Sequence, residues 1–426
     1  MNKVAFFLYF ILAAPVLVGN VVAQEPLQVS LSPRALQSST TVNRLAQELL
    51  LSRLREQGLS NAMTSAVSLY FALGILAEGA DGETGDLLQN LLLTDPSKDL
   101  AAIAPALAEQ LSSDVGRDDS RAIFSLSNSL WSNTSAGDGS PFRFKESFLA
   151  KSAALYGASH AALDFRSRNS AGVINAWADE QTQGLIPTIV DTQTLKELDW
   201  AILNAALFEG SWGTKLRRIS AKGDYRFTGL DGKPRAADTV RTSDYVSSVV
   251  DFDDGSVAFQ LPFYGRKYVF VVHAPASNQG DLGAWLVNDS IPQTETVIQE
   301  VLSNRGEATQ LTIQIPVFSF NDSVEMRKGS PMADDLGLSS LFHRSADFSR
   351  LSVDASHVSI IKQNTRFELD EDGVRAAAVT MIGGIKTTSM RPQYPRREIV
   401  VDRPFSFAIV ERTTRTILFN GVVASI

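Results

Sequence analysis

The chain of 426 residues is 44% hydrophobic and 20% charged, an ordinary globular composition with enough apolar material for a large core. It contains no cysteine, which excludes disulfides, cysteine nucleophiles and thiolate metal sites. The formal net charge is −8 and no helical face carries a dense run of Lys and Arg, so neither nucleic acid nor a polyanionic glycan such as a glycosaminoglycan is expected as the main partner.

The N-terminal segment has the pattern of a secretory signal peptide. Residues 1–23 have a basic start at Lys3, an apolar stretch and small residues at Val21 and Ala23. A membrane anchor is the alternative, but the apolar run is shorter than the roughly 18 residues that spanning favours. We predict removal of residues 1–23, secretion to the extracellular space, and one domain over residues 24–426, since no repeat or linker divides the chain.

The first half of the chain reads as helices. Residues 40–58 have an amphipathic pattern with a Thr start and a Gly stop, and residues 64–80 are apolar nearly all round, which predicts a buried helix. Residues 170–184 predict a third helix, whose apolar side is expected to carry Val173, Ile174 and Trp177.

The second half reads as strands. Residues 268–275 are β-branched and apolar, residues 311–320 alternate between apolar and polar, and residues 404–423 predict two strands around a short polar turn. Helices early and antiparallel strands late predict an α+β fold of helices packed on large sheets.

Three Asn-X-Ser triplets agree with a secretory route. They predict glycosylation at Asn133, Asn288 and Asn321, although such triplets also arise by chance.

No motif of an enzyme was found. The four histidines are not accompanied by a G-x-S-x-G or H-E-x-x-H pattern, and no glycine-rich phosphate loop follows a strand. We therefore expect no catalytic residues, no cofactor and no metal. The histidines are His160, His273, His343 and His357.

Residues 368–398 contain a long irregular stretch near the C-terminus. It passes through an acidic turn and an alanine run and then shows neither a helical nor a strand period. Connections longer than about 12 to 15 residues are uncommon in compact domains unless they are functional or disordered.

Three segments resemble the serpin family in the family's order and spacing. They are Ile174–Ile186, Leu203–Trp212 and Asp402–Val423. The resemblance implies the serpin fold, with three β-sheets, eight or nine helices and an exposed reactive-centre loop, here at about residues 371–400. In this family the loop is bait for a protease and can enter the main sheet as an added strand.

The resemblance also assigns the hinge of the loop. By the family register Val374, Ala376, Ala378 and Thr380 would face the core, whereas Arg375, Ala377 and Val379 would face outward. The inward set is small or apolar, which favours insertion, although the family more often has Thr or Ser at 374 and Glu at 375. The predicted hinge residues are Glu371, Gly373, Val374, Ala376, Ala377, Ala378 and Thr380.

A polar cluster is expected where the strands of the main sheet must part. The resemblance places Ser65, Ser68, Asn204 and Gln363 in this cluster, called the shutter, and Trp212 in the breach at the upper end of the sheet. Gln363 stands where many family members have His, and Gln can both donate and accept hydrogen bonds. Helix capping alone is the other interpretation of the two serines.

The resemblance implies a monomeric inhibitor that a serine protease attacks as a suicide substrate, and the N-terminal pattern predicts that it is secreted. Lys386 would suit the pocket of a trypsin-like protease, so the bond Lys386–Thr387 is the predicted cleavage site and Thr387–Thr388 the next candidate. Arg391 is a second basic candidate, but Pro392 follows it. The alternative is a serpin-fold binding or carrier protein that does not inhibit.

Overall fold

A computed structural model describes residues 33–95, 98–112, 122–136, 139–242, 245–303, 306–354, 357–374 and 394–426. All of them fall in one compact unit. The predicted signal peptide and most of the predicted loop, residues 375–393, lie outside these ranges, so both stay predictions.

Within these ranges the chain forms ten α-helices: α1 Pro33–Gln57, α2 Ala66–Gly79, α3 Gly82–Leu92, α4 Leu100–Ser112, α5 Glu146–Tyr156, α6 Ser170–Gln181, α7 Thr192–Lys196, α8 Leu282–Trp285, α9 Thr294–Ser303 and α10 Pro331–Asp335. A π-helical turn, Leu286–Ser290, continues α8, and a 3-10 turn spans Ser339–Phe342. The expected number was eight or nine. The count is higher because α7, α8 and α10 are short turns of four or five residues.

Three large sheets are present, as expected. The main sheet contains β2 Ala122–Asn133, β3 Ser159–Leu163, β4 Trp200–Ser211, β14 Phe318–Met326, β15 Ile361–Leu369 and β16 Gly373–Val374, in the order β14-β15-β16-β4-β2-β3.

The second large sheet, which we call the closed sheet, contains β1 Ala62–Thr64, β10 Val250–Asp251, β11 Val257–Pro262, β12 Tyr268–Ala274, β18 Phe405–Glu411 and β19 Thr416–Val423. Its strand order is β1-β19-β18-β12-β11-β10.

The third, the small sheet, contains β5 Leu216–Ile219, β8 Thr239–Thr242, β9 Tyr245–Ser247, β13 Thr309–Pro316 and β17 Arg396–Val400. A separate hairpin pairs β6 Arg226–Thr228 with β7 Pro234–Ala236.

Helix α2 is the helix predicted to be buried, and the structure confirms it. Its side chains pack against β4 of the main sheet and β19 of the closed sheet, so it lies between the two. Ser65 caps its N-terminus, because the Ser65 side chain accepts a hydrogen bond from the Ser68 amide at 3.4 Å.

The predicted pair of C-terminal strands is also confirmed. Strands β18 and β19 are antiparallel and buried along their whole length. The turn between them is fixed by the buried carboxylate of Glu411, which accepts hydrogen bonds from the amide nitrogens of Thr413 and Thr414 at 3.2 and 2.7 Å.

Two helix predictions need correction. Helix α1 begins at Pro33 rather than Thr40, because proline suits the first turn and the Ser39 hydroxyl donates to the Ala35 carbonyl within the helix at 2.8 Å. On α6, Ile174 is buried but Val173 is 46% exposed, because adjacent helical residues point about 100° apart.

The alternating stretch 311–320 is not one strand. The chain leaves the small sheet after Pro316 and enters the main sheet at Phe318. Proline cannot donate to a sheet ladder, which agrees with its place at the end of β13. The Val317 amide donates instead to the Asp238 carbonyl at 2.8 Å.

The prediction that Asn133 is glycosylated is wrong for the folded chain. Its side chain is 2% exposed, donates to the Leu198 carbonyl at 3.1 Å and accepts from the Ser135 and Phe165 amides. A glycan on this nitrogen would have no space and would break these bonds. Asn288 and Asn321 are exposed and stay predictions.

No helix among the described residues is both long and apolar enough to cross a membrane.

Candidate functional site

In the part of the chain that the structure describes, the main sheet is incomplete between β15 and β4. Strand β16 has two residues and pairs with both neighbours, at Leu369↔Val374 and Val374↔Gly210. Farther toward the N-terminal end of β4, the described chain supplies no strand between β4 and β15. A cleft lies there instead, which we call the slot. Its lining includes Leu69, Leu73, Ile202, Asn204, Ile361 and Gln363.

The upper end of the slot holds the start of the predicted hinge. Val374 is 3% exposed and belongs to the core, as expected of an inward-facing position. A Cβ added at Gly373 would collide with the Gly210 carbonyl oxygen, so the β16 and β4 backbones approach more closely here than any side chain would allow. Glycine at 373 therefore permits this first pairing of the hinge with β4.

Trp212 lies directly beside the hinge. Its indole nitrogen donates to the Asp370 carbonyl at 2.8 Å, and its backbone amide donates to the Asp372 carbonyl at 3.1 Å. The ring stacks on Phe263 with centroids 4.8 Å apart and planes at 11°. The predicted breach residue thus fixes the acidic turn that precedes the hinge.

Glu371 is held by an arginine that the sequence did not reveal. Arg218 on β5 donates to Glu371 at 3.1 Å and to Asp238 at 2.8 Å. The hydrogen bond with Asp238 raises the pKa of Arg218, and the charge of Glu371 acts in the same direction. Burial raises the pKa of Asp372, and the neighbouring carboxylates of Asp370 and Glu371 add to this rise.

The structure brings the four predicted shutter residues into one polar cluster. Gln363 and Ser65 form a reciprocal pair: the Ser65 amide donates to Gln363 Oε1 at 2.9 Å, and Gln363 Nε2 donates to the Ser65 carbonyl at 2.7 Å. The Ser65 hydroxyl donates to the Leu418 carbonyl at 2.8 Å. Gln363 therefore joins β15 to the start of α2, and the Ser65 hydroxyl joins α2 to the closed sheet.

The other half of the cluster continues into β2. The Ser68 hydroxyl donates to Asn204 Oδ1, Asn204 Nδ2 donates to Asn128 Oδ1 at 2.7 Å, and Asn128 Nδ2 donates to the Tyr156 carbonyl at 2.8 Å. Asn128 was not predicted. Its signal in the sequence is a polar side chain in the middle of a mostly buried strand, where an amide needs partners.

The chain returns from the predicted loop into β17, an edge strand of the small sheet. Strand β17 runs parallel to β13, with Gln310 opposite Arg396. Arg397 donates to both oxygens of Asp251 at 2.7 and 2.6 Å, and this hydrogen bonding lowers the pKa of the Asp251 carboxyl. The C-terminal side of the loop is thus attached at a defined place.

The remaining site predictions, Ala376, Ala377, Ala378, Thr380 and the bond candidates Lys386, Thr387 and Thr388, lie outside the described residues.

A group of a buried histidine, two buried serines and an exposed aspartate does occur, but its geometry does not fit catalysis. His273 contacts the Ser256 and Ser290 hydroxyls, each at 3.0 Å, and Asp254 accepts from Ser256 rather than from the imidazole. The histidine and both serines are buried, so no substrate reaches them. Burial lowers the pKa of His273 to about 4, while the charge of Asp254 opposes this shift. The hydrogen-bond network of His273 therefore has a structural role.

No group of three or more His, Asp or Glu side chains able to hold a metal ion was found in the part of the chain that the structure describes.

Comparison with known proteins agrees with this geometry. A family model described as Serpin (serine protease inhibitor) matches residues 40–426. The chain is 26% identical over 387 residues to Serpin-Z2A of Triticum aestivum, covering 87% of this chain and 91% of that protein. It is 25% identical over 400 residues to the leukocyte elastase inhibitor of Sus scrofa, covering 91% and 99%.

Among solved structures, the thyroxine-binding globulin complex with thyroxine matches with a TM-score of 0.72 and 19% identity, covering 91% of this chain and 98% of that one. At this identity the likeness concerns the fold alone. The family model, by contrast, covers most of the sequence, and with the incomplete main sheet and its hinge it shows that this chain belongs to the serpin family.

Proposed function

We propose that this chain is a secreted inhibitor that traps a serine protease of trypsin-like specificity by inserting its cleaved loop into the slot. The observation that carries the proposal is β16. The hinge residues Gly373 and Val374 already form a strand between β15 and β4, and the slot continues in line with them. A cut loop would then extend an existing strand rather than start a new one.

The register of β16 supports the inward and outward assignment of the hinge. Continued past Val374, it would set Ala376 opposite Phe367, Ala378 opposite Thr365, and Thr380 opposite Gln363. These three β15 residues are all buried. Small side chains would therefore enter the core, and a polar Thr would meet the polar cluster.

The same register accounts for the unusual Arg375. It would lie on the outer face of the sheet between Glu368 of β15 and Glu209 of β4. A glutamate at 375 would face two like charges, whereas arginine is attracted to both. The departure from the family pattern at this position is therefore compatible with insertion.

The chemistry follows that of any serine protease until insertion interrupts it. The protease serine attacks the Lys386 carbonyl carbon, the bond to the Thr387 nitrogen breaks, and the protease histidine gives a proton to the departing amine. An ester between the protease and Lys386 remains. Insertion would carry the protease along the sheet and distort its oxyanion hole before water hydrolyses the ester.

The test mixes the protein with trypsin and separates the products on a denaturing gel. We expect a covalent complex and a released peptide of 426 − 386 = 40 residues that begins at Thr387. A peptide beginning at Thr388 would support the second bond. Cleavage without any complex would overturn inhibition and favour a binding or carrier protein.

A matched pair of variants tests the slot. Val374→Arg places a charge in the core beside β16, so we expect trypsin to cleave the loop with little trapping. Val400→Arg makes the same change at a residue that is 43% exposed on the other side of the loop, and it should trap normally. Equal trapping by both variants would contradict insertion at Val374.

A further inference from the structure

The acidic turn before the hinge ends in one of the five Asp-Gly dipeptides of the chain, Asp372-Gly373. In such a dipeptide no Cβ shields the amide nitrogen that follows the aspartate. This nitrogen can attack the side-chain carboxyl carbon, so that water leaves and a five-membered succinimide ring forms. Water then reopens the ring, mostly to isoaspartate, in which the main chain runs through the former side chain and is one carbon longer.

The turn places a base on the amide that has to react. The Gly373 amide donates to Asp370 Oδ1 at 3.1 Å, which is within the reach of a general base. In the same peptide group, the Asp372 carbonyl accepts from the Trp212 amide at 3.1 Å. This second hydrogen bond stabilises the negative charge that the peptide group carries once its proton has moved to Asp370.

The Asp372 side chain is also suited to be attacked. Among the described residues, no hydrogen bond or ion pair holds its carboxylate. Burial raises the pKa of Asp372, and the charges of Asp370 and Glu371 add to this rise. A larger neutral fraction favours ring closure, because a neutral carboxyl group can lose its hydroxyl as water, whereas a carboxylate cannot.

The other Asp-Gly carboxylates that the structure describes are held as anions. Each accepts a side-chain hydrogen bond, from Arg350 to Asp81, from Arg235 to Asp231 and from Ser256 to Asp254. The hydrogen bond with Arg235 lowers the pKa of Asp231 to about 2. At neutral pH the neutral fraction of Asp231 is therefore at least about tenfold smaller than that of Asp372. The fifth dipeptide, at Asp138, lies outside the described residues.

We propose that Asp372 is a site of spontaneous modification, where succinimide formation and hydrolysis convert the intact hinge into an isoaspartate form. Asp370 takes the Gly373 amide proton, the nitrogen bonds to Asp372 Cγ, and Asp370 returns the proton to the departing hydroxyl, which leaves as water. One water molecule is lost and one is regained, so the mass of the protein does not change.

The modification would separate the hinge from β4. The backbones at Gly373 and Gly210 are so close that a Cβ at 373 would collide with the Gly210 carbonyl oxygen, so another main-chain carbon has no room. The pairings of Gly373 with Ser211 and of Val374 with Gly210 would be lost. A protease should then cleave the modified protein without being trapped. This consequence rests on the proposed inhibitory function, whereas the modification itself does not.

The first measurement needs no protease. The purified protein is incubated at neutral pH and digested, and isoaspartate is located by mass spectrometry after enzymatic methylation with S-adenosylmethionine. We expect isoaspartate at Asp372 to exceed that at Asp231 by at least about tenfold. In protein kept unfolded, where both carboxylates lose their surroundings, the two amounts should be nearly equal. Equal amounts in the folded protein would overturn the proposal.

A matched pair of variants tests the base. Asp370→Asn keeps an oxygen that accepts from the Gly373 amide but is no longer a base, so isoaspartate at Asp372 should fall by about tenfold or more. Glu371→Gln also removes one negative charge beside Asp372 but leaves the bond to the amide, so its effect should be clearly smaller. An unchanged rate in Asp370→Asn, or equal effects of both variants, would contradict the part given to Asp370.

The second measurement uses incubated wild-type protein that has reacted with trypsin. The isoaspartate content at Asp372 is compared between the trapped complex and the cleaved, released protein, and we expect it to be about fivefold or more higher in the released protein. Equal contents would overturn the effect on the hinge. If fresh protein forms no complex with trypsin, the proposed inhibition fails, while the distribution of isoaspartate still decides whether Asp372 is the site.

Discussion

Within the described residues, the closed sheet and the main sheet both have six strands, but the main sheet has a gap between β15 and β4. In the closed sheet, β12, β18 and β19 pair along their lengths, with one register shift between Ile409 and Val410, and every residue of these strands is buried. In the main sheet, β15 and β4 are joined through the two residues of β16, as far as the described chain shows. Side-chain burial is thus complete in these three strands of the closed sheet, whereas the main sheet has a gap where the proposed function would add a strand.

The side chains explain this difference. The C-terminal strands are mostly apolar, and the buried carboxylate of Glu411 at their turn is hydrogen-bonded. Around the slot, by contrast, the polar side chains of Ser65, Ser68, Asn204 and Gln363 form hydrogen bonds, so the core next to the gap is polar.

The largest expected effect comes from cutting the loop. If the slot accepts a strand, the cleaved protein gains two hydrogen-bonded ladders and buries more apolar surface. Its melting temperature should then rise by something on the order of tens of degrees. Differential scanning calorimetry of intact protein and of protein nicked in the loop measures this. Identical melting temperatures would mean that the main sheet is as complete as the closed one.

A substitution in the closed sheet should destabilise the intact protein and the cleaved protein equally. Ile409 on β18 is 1% exposed, and Ile409→Ala should lower the free energy of unfolding by about 2–5 kcal/mol, since it leaves a cavity. We expect the melting temperature to fall in both the intact and the cleaved forms, with the same ratio of trapped to cleaved protein. Val400→Ala, on an exposed edge, is the control. A loss confined to one form would show that the closed sheet also changes on insertion.

The smallest expected effect is a dependence of the free energy of unfolding on pH, which comes from the closed sheet alone. Burial lowers the pKa of His273 on β12 to about 4, so between pH 6.5 and pH 4 the unfolded chain binds a proton that the folded chain does not. Stability from this group is complete above pH 6.5 and falls with pH in that window, by about 2 kcal/mol at pH 5.

His273→Gln keeps hydrogen-bonding groups without the titration. The wild type should therefore lose more unfolding free energy than the variant between pH 7 and pH 5, as measured by urea denaturation. Equal losses would mean that His273 is protonated in the folded protein.

The local sequence pattern was enough to predict the elements whose residues are buried along nearly their whole length. Helix α2 and the pair β18 and β19 could be predicted because nearly every side chain is apolar. The start of α1 could not, because Ser39 and Thr40 resemble a helix cap and only the folded chain shows Ser39 bonded within the helix. The glycosylation prediction at Asn133 was wrong for a similar reason. The burial of Asn133 depends on residues far from it in the sequence, which the triplet does not show.

The site was predictable only in part, and mostly through family resemblance. Gln363 and Ser65 are 298 positions apart, so no local pattern joins them. Arg218, which holds Glu371, and Asn128, which extends the polar cluster, follow from sheet topology rather than from any motif.

The attachment of β17 has a consequence for how the molecule could be triggered. The segment between Val374 and Tyr394 is fixed at one end in the main sheet and at the other by β17, its pairing with β13 and the bond of Arg397 to Asp251. A segment tethered at both ends can enter the slot only as far as its length allows. A single cut turns it into a strand with a free end. Under the proposed function, cleavage would act as a mechanical release that binding alone does not reproduce, and it would run in one direction because the two new ends separate.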